Sequence, residues 1–331
     1  MFTDNINFNQ TLISSITQVQ PFTISRYITN NKIASIESSD KRKKYSFDNT
    51  RCIAKQFVAN KFLSKNKIQT FFNFKGGTGK TSLCYQTSFL FSLLGFKVLV
   101  LDCDPQAHLS YSYGIREDKD FYTLYDVIIN GISINEGIIK LGEGLDIIPS
   151  NLSLTRIESP LSQMANREKV LKRYIDKVEK QYDFIFIDTN PTISVLNNNA
   201  TYVSDMLNIV CETQYYSLKG LQIVIQEIAS FAEAMEKEME YSIIPNKYEA
   251  KTVISQEVLG VLRSEYGNNV MGAVVRKCEE INQSARQCLP AVGFCKKRSV
   301  ALEDLMDLTM EMIKRSCVEQ KKQGELSDVI R

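Results

Sequence analysis

The chain has 331 residues, of which 44% are hydrophobic and 24% are charged, and its formal net charge is +2. No apolar run approaches the roughly 20 residues that span a bilayer, and the N-terminus lacks the basic start and apolar stretch of a signal peptide. The eight cysteines form no CxxC pair, which favours reduced thiols in the cytoplasm. With His108 as its one histidine, the chain is not expected to build a histidine metal site.

The charge is distributed unevenly along the chain. Residues 1–67 hold eleven Lys or Arg against four Asp or Glu, a net charge of +7, whereas the remainder holds 29 against 34, a net charge of −5. A basic arm on an acidic body favours contact with an anion such as nucleic acid. A solvated, lysine-rich linker is the alternative.

Two helices are expected in the N-terminal basic region, residues 1–66. Apolar spacing predicts the first over residues 22–28. Ser46 is expected to cap a second helix that continues to Val58. The residues predicted to face inward on that helix are Phe47, Ile53, Ala54 and Phe57. A basic run over residues 41–44 lies between the two helices.

From residue 68, short apolar runs alternate with longer periodic ones. The apolar runs predict strands at 68–74, 97–102, 145–149, 184–188, 206–212 and 241–245. The periodic runs predict helices at 80–94, 166–182, 218–236, 255–266 and 302–319, the first closed by Gly95. Apolar strands separated by helices predict a doubly wound α/β fold with a mostly parallel sheet over residues 67–320. Residues 321–331 are predicted to form a polar tail.

A glycine-rich segment, FNFKGGTGKTS at residues 72–82, follows a predicted strand and opens a predicted helix. Glycines let the backbone curl so that its N–H groups point at phosphate oxygens, and the helix N-terminus adds partial positive charge. Lys80 is expected to reach the β- and γ-phosphates, and the Thr81 hydroxyl is expected to bind Mg²⁺. The standard pattern would place its first glycine at Phe74. The extra lysine, Lys75, indicates the deviant form of this loop.

Carboxylates follow two of the predicted strands. Asp102 and Asp104 come at the end of one, and Asp188 ends the other, which is typical of a Walker-B strand. Ligands of open α/β sheets bind at the carboxyl ends of the strands, so these carboxylates and the glycine-rich loop are expected to converge. Phosphoryl transfer needs a metal, carboxylates that hold it and orient water, and cations for the developing charge. The sequence therefore predicts an ATPase.

Together these motifs resemble the ParA family of partition ATPases, within the larger group that includes MinD and the nitrogenase iron protein. The resemblance covers about residues 68–315 and includes LDCDPQAHLS, LDIIPSNLSL, YDFIFIDTNP, TQYYSLKGL and IIPNKYEAKT. Asn190 stands where the family usually has proline, and His108 stands where asparagine is common. Neither difference removes an expected ligand.

The resemblance implies a role for each matching residue. The signature lysine, Lys75, would cross a dimer interface to the partner's phosphates. Asp104 would orient the attacking water, Asp188 would hold the Mg²⁺ shell, and Asp102 would assist. The implied catalytic residues are Lys75, Lys80, Asp104 and Asp188. The implied ATP-binding residues are Lys75, Gly76, Gly77, Thr78, Gly79, Lys80, Thr81, Ser82 and Asn246, and the metal-binding residues are Thr81, Asp188 and Asp102. The implied DNA-binding residues are Lys251, Arg276 and Lys277.

The order of the N-terminal elements resembles the small winged-helix element that precedes the ATPase in longer ParA proteins. This resemblance implies that Arg42, Lys43 and Lys44 contact DNA near an operator. A dimerisation or linker role for the region is the alternative.

The resemblance as a whole implies a switch with ATP and Mg²⁺ as cofactors. ATP would join two subunits face to face, and the homodimer would bind nonspecific DNA through its phosphates. A centromere-binding, ParB-like partner would stimulate hydrolysis, so that a cytoplasmic, nucleoid-associated protein segregates a plasmid or chromosome. Autorepression of its operon is a further expectation.

Three other functions are less favoured. A MinD-like ATPase that positions a protein complex without DNA would end in a basic amphipathic helix, but the chain ends in VEQKKQGELSDVIR, which is mixed in charge. An iron–sulfur electron-transfer ATPase would need paired cysteine ligands across the dimer, and no cysteine of this sequence stands in the matching context. A repressor that only binds nucleotide would not need intact Lys80, Asp104 and Asp188.

Overall fold

The computed structural model describes residues 1–36, 43–65, 67–116, 120–296 and 299–320. The strands are β1 (Asn7–Asn9), β2 (Lys44–Ser46), β3 (Phe62–Ser64), β4 (Ile68–Phe72), β5 (Val98–Cys103), β6 (Ile139–Gly142), β7 (Leu145–Ile148), β8 (Phe184–Thr189), β9 (Met206–Glu212), β10 (Glu240–Asn246) and β11 (Cys317–Glu319). The helices are α1 (Gln10–Thr17), α2 (Pro21–Asn30), α3 (Phe47–Phe57), α4 (Lys80–Leu93), α5 (His108–Ser112), α6 (Leu124–Ile128), α7 (Ile134–Gly137), α8 (Glu158–Ser162), α9 (Val170–Ile175), α10 (Val195–Val203), α11 (Tyr215–Met235), α12 (Val253–Tyr266), α13 (Glu279–Gln287), α14 (Ala291–Phe294) and α15 (Val300–Ser316).

The main sheet has the strand order β10-β9-β4-β8-β5-β7-β6. Its pairs are parallel except at the β6 edge, where β6 runs antiparallel to β7 with an irregularity between Lys140 and Gly142. Strands β4, β5, β8 and β9 are buried along their whole length, as expected for a parallel sheet covered on both faces. The predicted doubly wound α/β fold is confirmed, although β6 was not predicted.

Alternate residues of each strand enter cores on opposite faces of the sheet, because side chains alternate along a strand. Val98 and Val100 of β5 join one core with residues of α4 and α15. Leu99 and Leu101 join the opposite core with residues of α6, α9 and α10. Residues of α11 and α12 cover β9 and β10 in a third cluster. Within the described part of the chain, no helix is both long and apolar enough to cross a membrane.

The two helices predicted in the N-terminal region are confirmed as α2 and α3. The Ser46 hydroxyl caps α3 by accepting a hydrogen bond from the Asn49 backbone N–H (3.2 Å). Of the four residues predicted to face inward, Phe57 is partly buried and the others are fully buried. The boundary at residue 66 and the winged-helix interpretation stay predictions. Arg42 and the tail at 321–331 lie outside the described residues.

The N-terminal region packs directly on α4 of the doubly wound fold. The rings of Phe47 and Phe89 lie 5.3 Å apart, and the Arg51 guanidinium donates to the Phe96 carbonyl (3.1 Å). Gly95, just after α4, has a φ of +108°, and a Cβ there would lie 2.5 Å from the Cα of Lys55. Glycine is therefore required both to end the helix and to admit α3. This packing explains why α4 is buried on nearly all sides.

The continuous helix predicted over residues 166–182 is wrong. Helix α9 covers only Val170–Ile175, with 3-10 turns at Arg167–Lys169 and Glu179–Gln181. The side chain of Asn199 accepts from the Leu171 N–H (2.9 Å) and donates to the Arg167 carbonyl (2.6 Å). Because these two groups would bond each other in a continuous helix, the inserted amide interrupts it. The helix predicted at 302–319 also ends early, at Ser316, and residues 317–319 form β11 beside β3.

Candidate functional site

The glycine-rich loop connects β4 to α4 at the carboxyl edge of the sheet. Gly77 and Gly79 have φ values of +75° and +96°, the left-handed region that glycine adopts without strain. The Asn73 side chain anchors the start of the loop: its Nδ2 donates to the Val210 carbonyl (2.8 Å), and its Oδ1 accepts from the Lys75 N–H (2.9 Å). The loop is therefore held by side-chain hydrogen bonds as well as by glycine conformation.

Asn246, a predicted ATP-binding residue, lies at the end of β10 beside this loop. Its Nδ2 donates to the Thr78 carbonyl (2.7 Å), and a Cβ on Gly79 would lie 2.3 Å from that same nitrogen. Only glycine at residue 79 leaves room for this contact. The structure thus gives Asn246 a role in positioning the loop, while its contact with ATP stays a prediction.

Lys80 is the first residue of α4, and its side chain is buried under the loop. It is 6% exposed, and its Nζ donates to the Lys75 carbonyl (3.2 Å). Burial lowers the pKa of the Lys80 ammonium, and the negative charges of Asp188 and Asp104 partly offset that effect. A desolvated ammonium in this position interacts more strongly with a phosphate than one in water would.

Asp102 and Asp188 lie side by side on adjacent parallel strands, in register with one another. Asp188 is fully buried, and within the described residues no donor meets hydrogen-bond geometry at either of its carboxylate oxygens. Burial raises the pKa of Asp188 well above its ordinary value, and the charge of Asp102 raises it further. The nearby Thr81 hydroxyl and the Lys80 ammonium lower the pKa only in part. This carboxylate has an unmet need for a cation or a donor.

The carboxylate of Asp102, by contrast, is fully hydrogen-bonded. Its Oδ2 accepts from the Ser110 N–H (2.9 Å) and hydroxyl (2.7 Å), and its Oδ1 accepts from the Asp104 N–H (3.1 Å). Asp104 in turn accepts from the Gln106 N–H (2.9 Å) and is 8% exposed. Asp102 therefore shapes the turn that presents Asp104, and its part in metal binding stays a prediction.

Asp102 also makes the stability of the protein depend on pH. Burial raises the pKa of its carboxyl from 3.8 to about 6, despite the lowering effect of the bonds from Ser110 and Asp104. Below about pH 4, the pKa of the unfolded chain, the group is protonated in both states and the stabilisation by its protonated form is fully present. That stabilisation is lost as pH rises to about 6, the pKa in the folded protein. The wild-type free energy of unfolding, relative to Asp102→Asn, should fall by up to about 3 kcal/mol across this range. Urea unfolding between pH 4 and 7 measures this, and a constant difference would contradict it.

The donors in this site fit a magnesium ion better than a protein-only metal cage. Among the described residues, no group of three or more His, Cys, Asp or Glu side chains is placed to hold a metal. Magnesium in nucleotide sites takes one or two protein oxygens, the substrate phosphates and water. The Thr81 hydroxyl and the buried carboxylate of Asp188 supply such oxygens.

A cavity of about 350 Å³ lies beside the first turns of α4. Its lining residues come from α4, α5 and α13: Thr81, Ser82, Tyr85, Gln86, His108, Tyr111, Ser112, Ile281, Ala285 and Arg286. Thr81 and Ser82, two residues predicted to bind ATP, thus line a space of the size that small-molecule sites have.

The residues predicted to bind DNA have different surroundings. The Arg276 guanidinium donates to Asp304 (2.9 Å from Nε) and Glu303 (2.8 Å), and these bonds raise its pKa. Lys277 forms an exposed ion pair with Glu249 (3.0 Å). Lys251 and Lys43 are exposed, and Lys44 lies in β2. Asp304 and Glu303 both lie on α15, so these bonds connect the segment that contains Arg276 to that helix. DNA contact by these residues stays a prediction.

Two residues of the site were missed by sequence reasoning. Glu212 ends β9, and its carboxylate pairs with both Lys75 and Lys247 (2.7 Å each). Lys247 also donates to the Gly77 carbonyl. Glu212 is the last residue of one predicted strand, and Lys247 comes two residues after another, as Asp104 does. Their position at the carboxyl edge was therefore the available signal.

Comparison with known proteins agrees with this geometry. A family model described as an AAA domain matches residues 66–241, more than half of the chain. The cell division protein PomZ of Myxococcus xanthus is 32% identical over 68% of this chain and 71% of its own length. The chromosome partitioning protein ParA of Caulobacter vibrioides is 26% identical over 76% of this chain and 95% of its own length.

Among solved structures, a provisionally named plasmid partition protein of Borrelia burgdorferi, bound to AMPPNP, shares the fold. Its TM-score is 0.65 at 24% identity, over 76% of this chain and 100% of that chain. The predicted family is confirmed by these matches and by the arrangement of the glycine-rich loop and its carboxylates. The chain belongs to the ParA/MinD family of P-loop ATPases.

Proposed function

We propose that this protein is an ATP-dependent partition motor that segregates a plasmid or chromosome. ATP joins two copies face to face, the dimer binds nonspecific DNA, and a centromere-binding, ParB-like partner stimulates hydrolysis. The observation that carries this proposal is Lys75, a second loop lysine whose side chain is 40% exposed at the rim of the site. Its position supports a role across an interface, and the named function of the Caulobacter relative supports partition.

The residues of the site have complementary roles in this proposal. Lys80 and the loop N–H groups bind the β- and γ-phosphates, and Ser82 contacts the α-phosphate. Thr81 and Asp188 hold the Mg²⁺ ion, which when bound supplies positive charge to the phosphates. Asp104 orients the attacking water at the end of β5. Autorepression through the N-terminal region, nucleoid association and a cytoplasmic location belong to the same proposal.

A second candidate function is a positioning ATPase that works on a protein complex without binding DNA. Its support is the 32% identity to PomZ, which is named as a cell division protein. The neutralised guanidinium of Arg276 also favours it, because that residue was expected to meet DNA phosphates.

The test that separates these functions is binding to a labelled duplex of arbitrary sequence, measured by fluorescence anisotropy. Binding is compared with ATP, with ADP and without nucleotide, at about 50 and 200 mM salt. A partition motor should bind only with ATP and lose at least about tenfold in affinity at the higher salt. Absence of DNA binding in every state would reject partition and favour the positioning role.

Lys75→Ala should separate nucleotide binding from dimerisation. The variant should bind ATP as a monomer, because Lys80 and the loop are intact, but it should form no ATP dimer and no ATP-dependent DNA complex. Light scattering coupled to size exclusion measures the dimer, and Lys172→Ala on α9 is the matched control. Dimerisation of Lys75→Ala at the same ATP concentration as wild type would remove the signature role from this lysine.

A further inference from the structure

Glu212 connects the two lysines that border the phosphate loop. It ends β9, and its side chain is 8% exposed. Its Oε2 accepts from the Lys75 Nζ and its Oε1 accepts from the Lys247 Nζ, both at 2.7 Å. The Lys75 Nζ also donates to the Ser217 hydroxyl at the start of α11 (3.4 Å). One buried carboxylate therefore satisfies two ammonium groups within a single subunit.

The carboxylate is ionised in this arrangement. Burial raises the pKa of Glu212, but the hydrogen bonds and charges of Lys247 and Lys75 outweigh burial, so the net shift is downward. Charge-assisted bonds of this length are the strong class of side-chain hydrogen bond. Because the glutamate is buried, the pairs are less screened by solvent than pairs on an open surface.

Both lysines are tied to the loop that would hold phosphate. The Lys75 carbonyl accepts from Lys80, and the Lys247 Nζ donates to the Gly77 carbonyl. A phosphate group attracts the same ammonium groups that Glu212 now binds, since both are anions with several acceptor oxygens. Glu212 and a phosphate from the ATP of a second subunit must therefore compete for Lys75.

We propose that Glu212 is a positioning residue that keeps Lys75 within its own subunit, so that ATP-driven dimerisation requires Lys75 to leave Glu212. This inference rests on the proposed function, in which Lys75 reaches the partner's phosphates. Glu212 thereby sets the ATP concentration at which the dimer forms.

Glu212→Gln is the variant that tests this, because it removes the charge and preserves the size and one acceptor oxygen. Asp176→Asn is its matched control, since it removes a carboxylate from an exposed ion pair of equal length, 2.7 Å to Lys172, at the C-terminal end of α9. Thermal melting verifies that each variant folds. Glu212→Asp, which retains the charge one methylene shorter, is the second variant and should give an intermediate effect.

The first measurement needs neither ATP nor a dimer. An amine-acylating reagent is applied to the nucleotide-free protein, and modification of Lys75 is followed by peptide mass spectrometry. Lys75 should be acylated about threefold to tenfold faster in Glu212→Gln, because its amine no longer donates to a carboxylate. An unchanged rate would show that the pair does not form in solution and would overturn the inference.

The second measurement is the ATP concentration for half-maximal dimerisation. It should be about threefold to tenfold lower in Glu212→Gln than in wild type and unchanged in Asp176→Asn. An equal or higher ATP requirement in Glu212→Gln, with wild type dimerising normally, would overturn this inference and leave the proposed function in place. Absence of an ATP dimer in wild type and every variant would reject both the proposed function and the inference that Lys75 leaves Glu212 on dimerisation.

Discussion

Lys80→Ala should weaken ATP binding by at least about 100-fold. Lys80 is 6% exposed, its ammonium donates to the loop carbonyl of Lys75, and the charges of Asp188 and Asp104 act on it. Hydrogen bonds to charged groups contribute about 1.5–3 kcal/mol each, and tenfold in affinity corresponds to about 1.4 kcal/mol. Two lost phosphate contacts therefore account for the expected change. Calorimetric titration with ATP and Mg²⁺ measures it.

The control for this prediction is Lys172→Ala, which removes an exposed lysine from α9. It should bind ATP as wild type does. Because Lys80→Ala also leaves Asp188 without a neighbouring cation, thermal melting is needed to show that the variant is folded. Folded Lys80→Ala protein that binds ATP within about threefold of wild type would contradict the assignment of the phosphate loop.

Asp188→Asn should strongly slow ATP hydrolysis and, without nucleotide, make the protein more stable. The carboxylate is fully buried, has no donor in hydrogen-bond geometry among the described residues, and lies in register with Asp102. The pKa of Asp188 is higher in the folded protein than in the unfolded chain. At neutral pH, which lies above the unfolded pKa, this carboxyl group therefore destabilises the folded state. Removing the charge should raise Tm by about 2–5 °C, whereas loss of the metal ligand should slow phosphate release at least about 100-fold.

Asp176→Asn, at an exposed carboxylate, should change neither Tm nor phosphate release measurably. Phosphate release is measured at saturating ATP, and Tm is measured at pH 7 without nucleotide and Mg²⁺. A lower Tm in Asp188→Asn would show that its carboxylate makes a stabilising contact in the nucleotide-free protein. Retained hydrolysis would instead remove Asp188 from the metal site.

The main features of the fold followed from local patterns. The apolar runs that predict β4, β5, β8 and β9 are buried on both faces, so their character does not depend on which element covers them. The phosphate loop was equally predictable, because Gly77 and Gly79 adopt conformations that other residues rarely take. Even the end of α4 was predictable, from Gly95 alone.

Contacts between segments distant in sequence were not predictable in this way. The helix predicted at 166–182 is interrupted by the side chain of Asn199, which is 28 residues beyond Leu171, so nothing in the local period indicates the break. The surroundings of Arg276 show the same limit. Two carboxylates of α15 bind its guanidinium, and both are more than 25 residues away in sequence.

By itself, the sequence determined the parallel sheet, the deviant phosphate loop and the carboxylates at its edge, because each depends on the residue type at one strand end or turn. Only the tertiary structure decided what those groups contact. It packs α3 on α4 and places Glu212 between Lys75 and Lys247. Among the described residues it gives Asp188 no donor in hydrogen-bond geometry, whereas Ser110 donates to Asp102. Charge interactions depend on distance and burial in three dimensions, and spacing along the chain specifies neither.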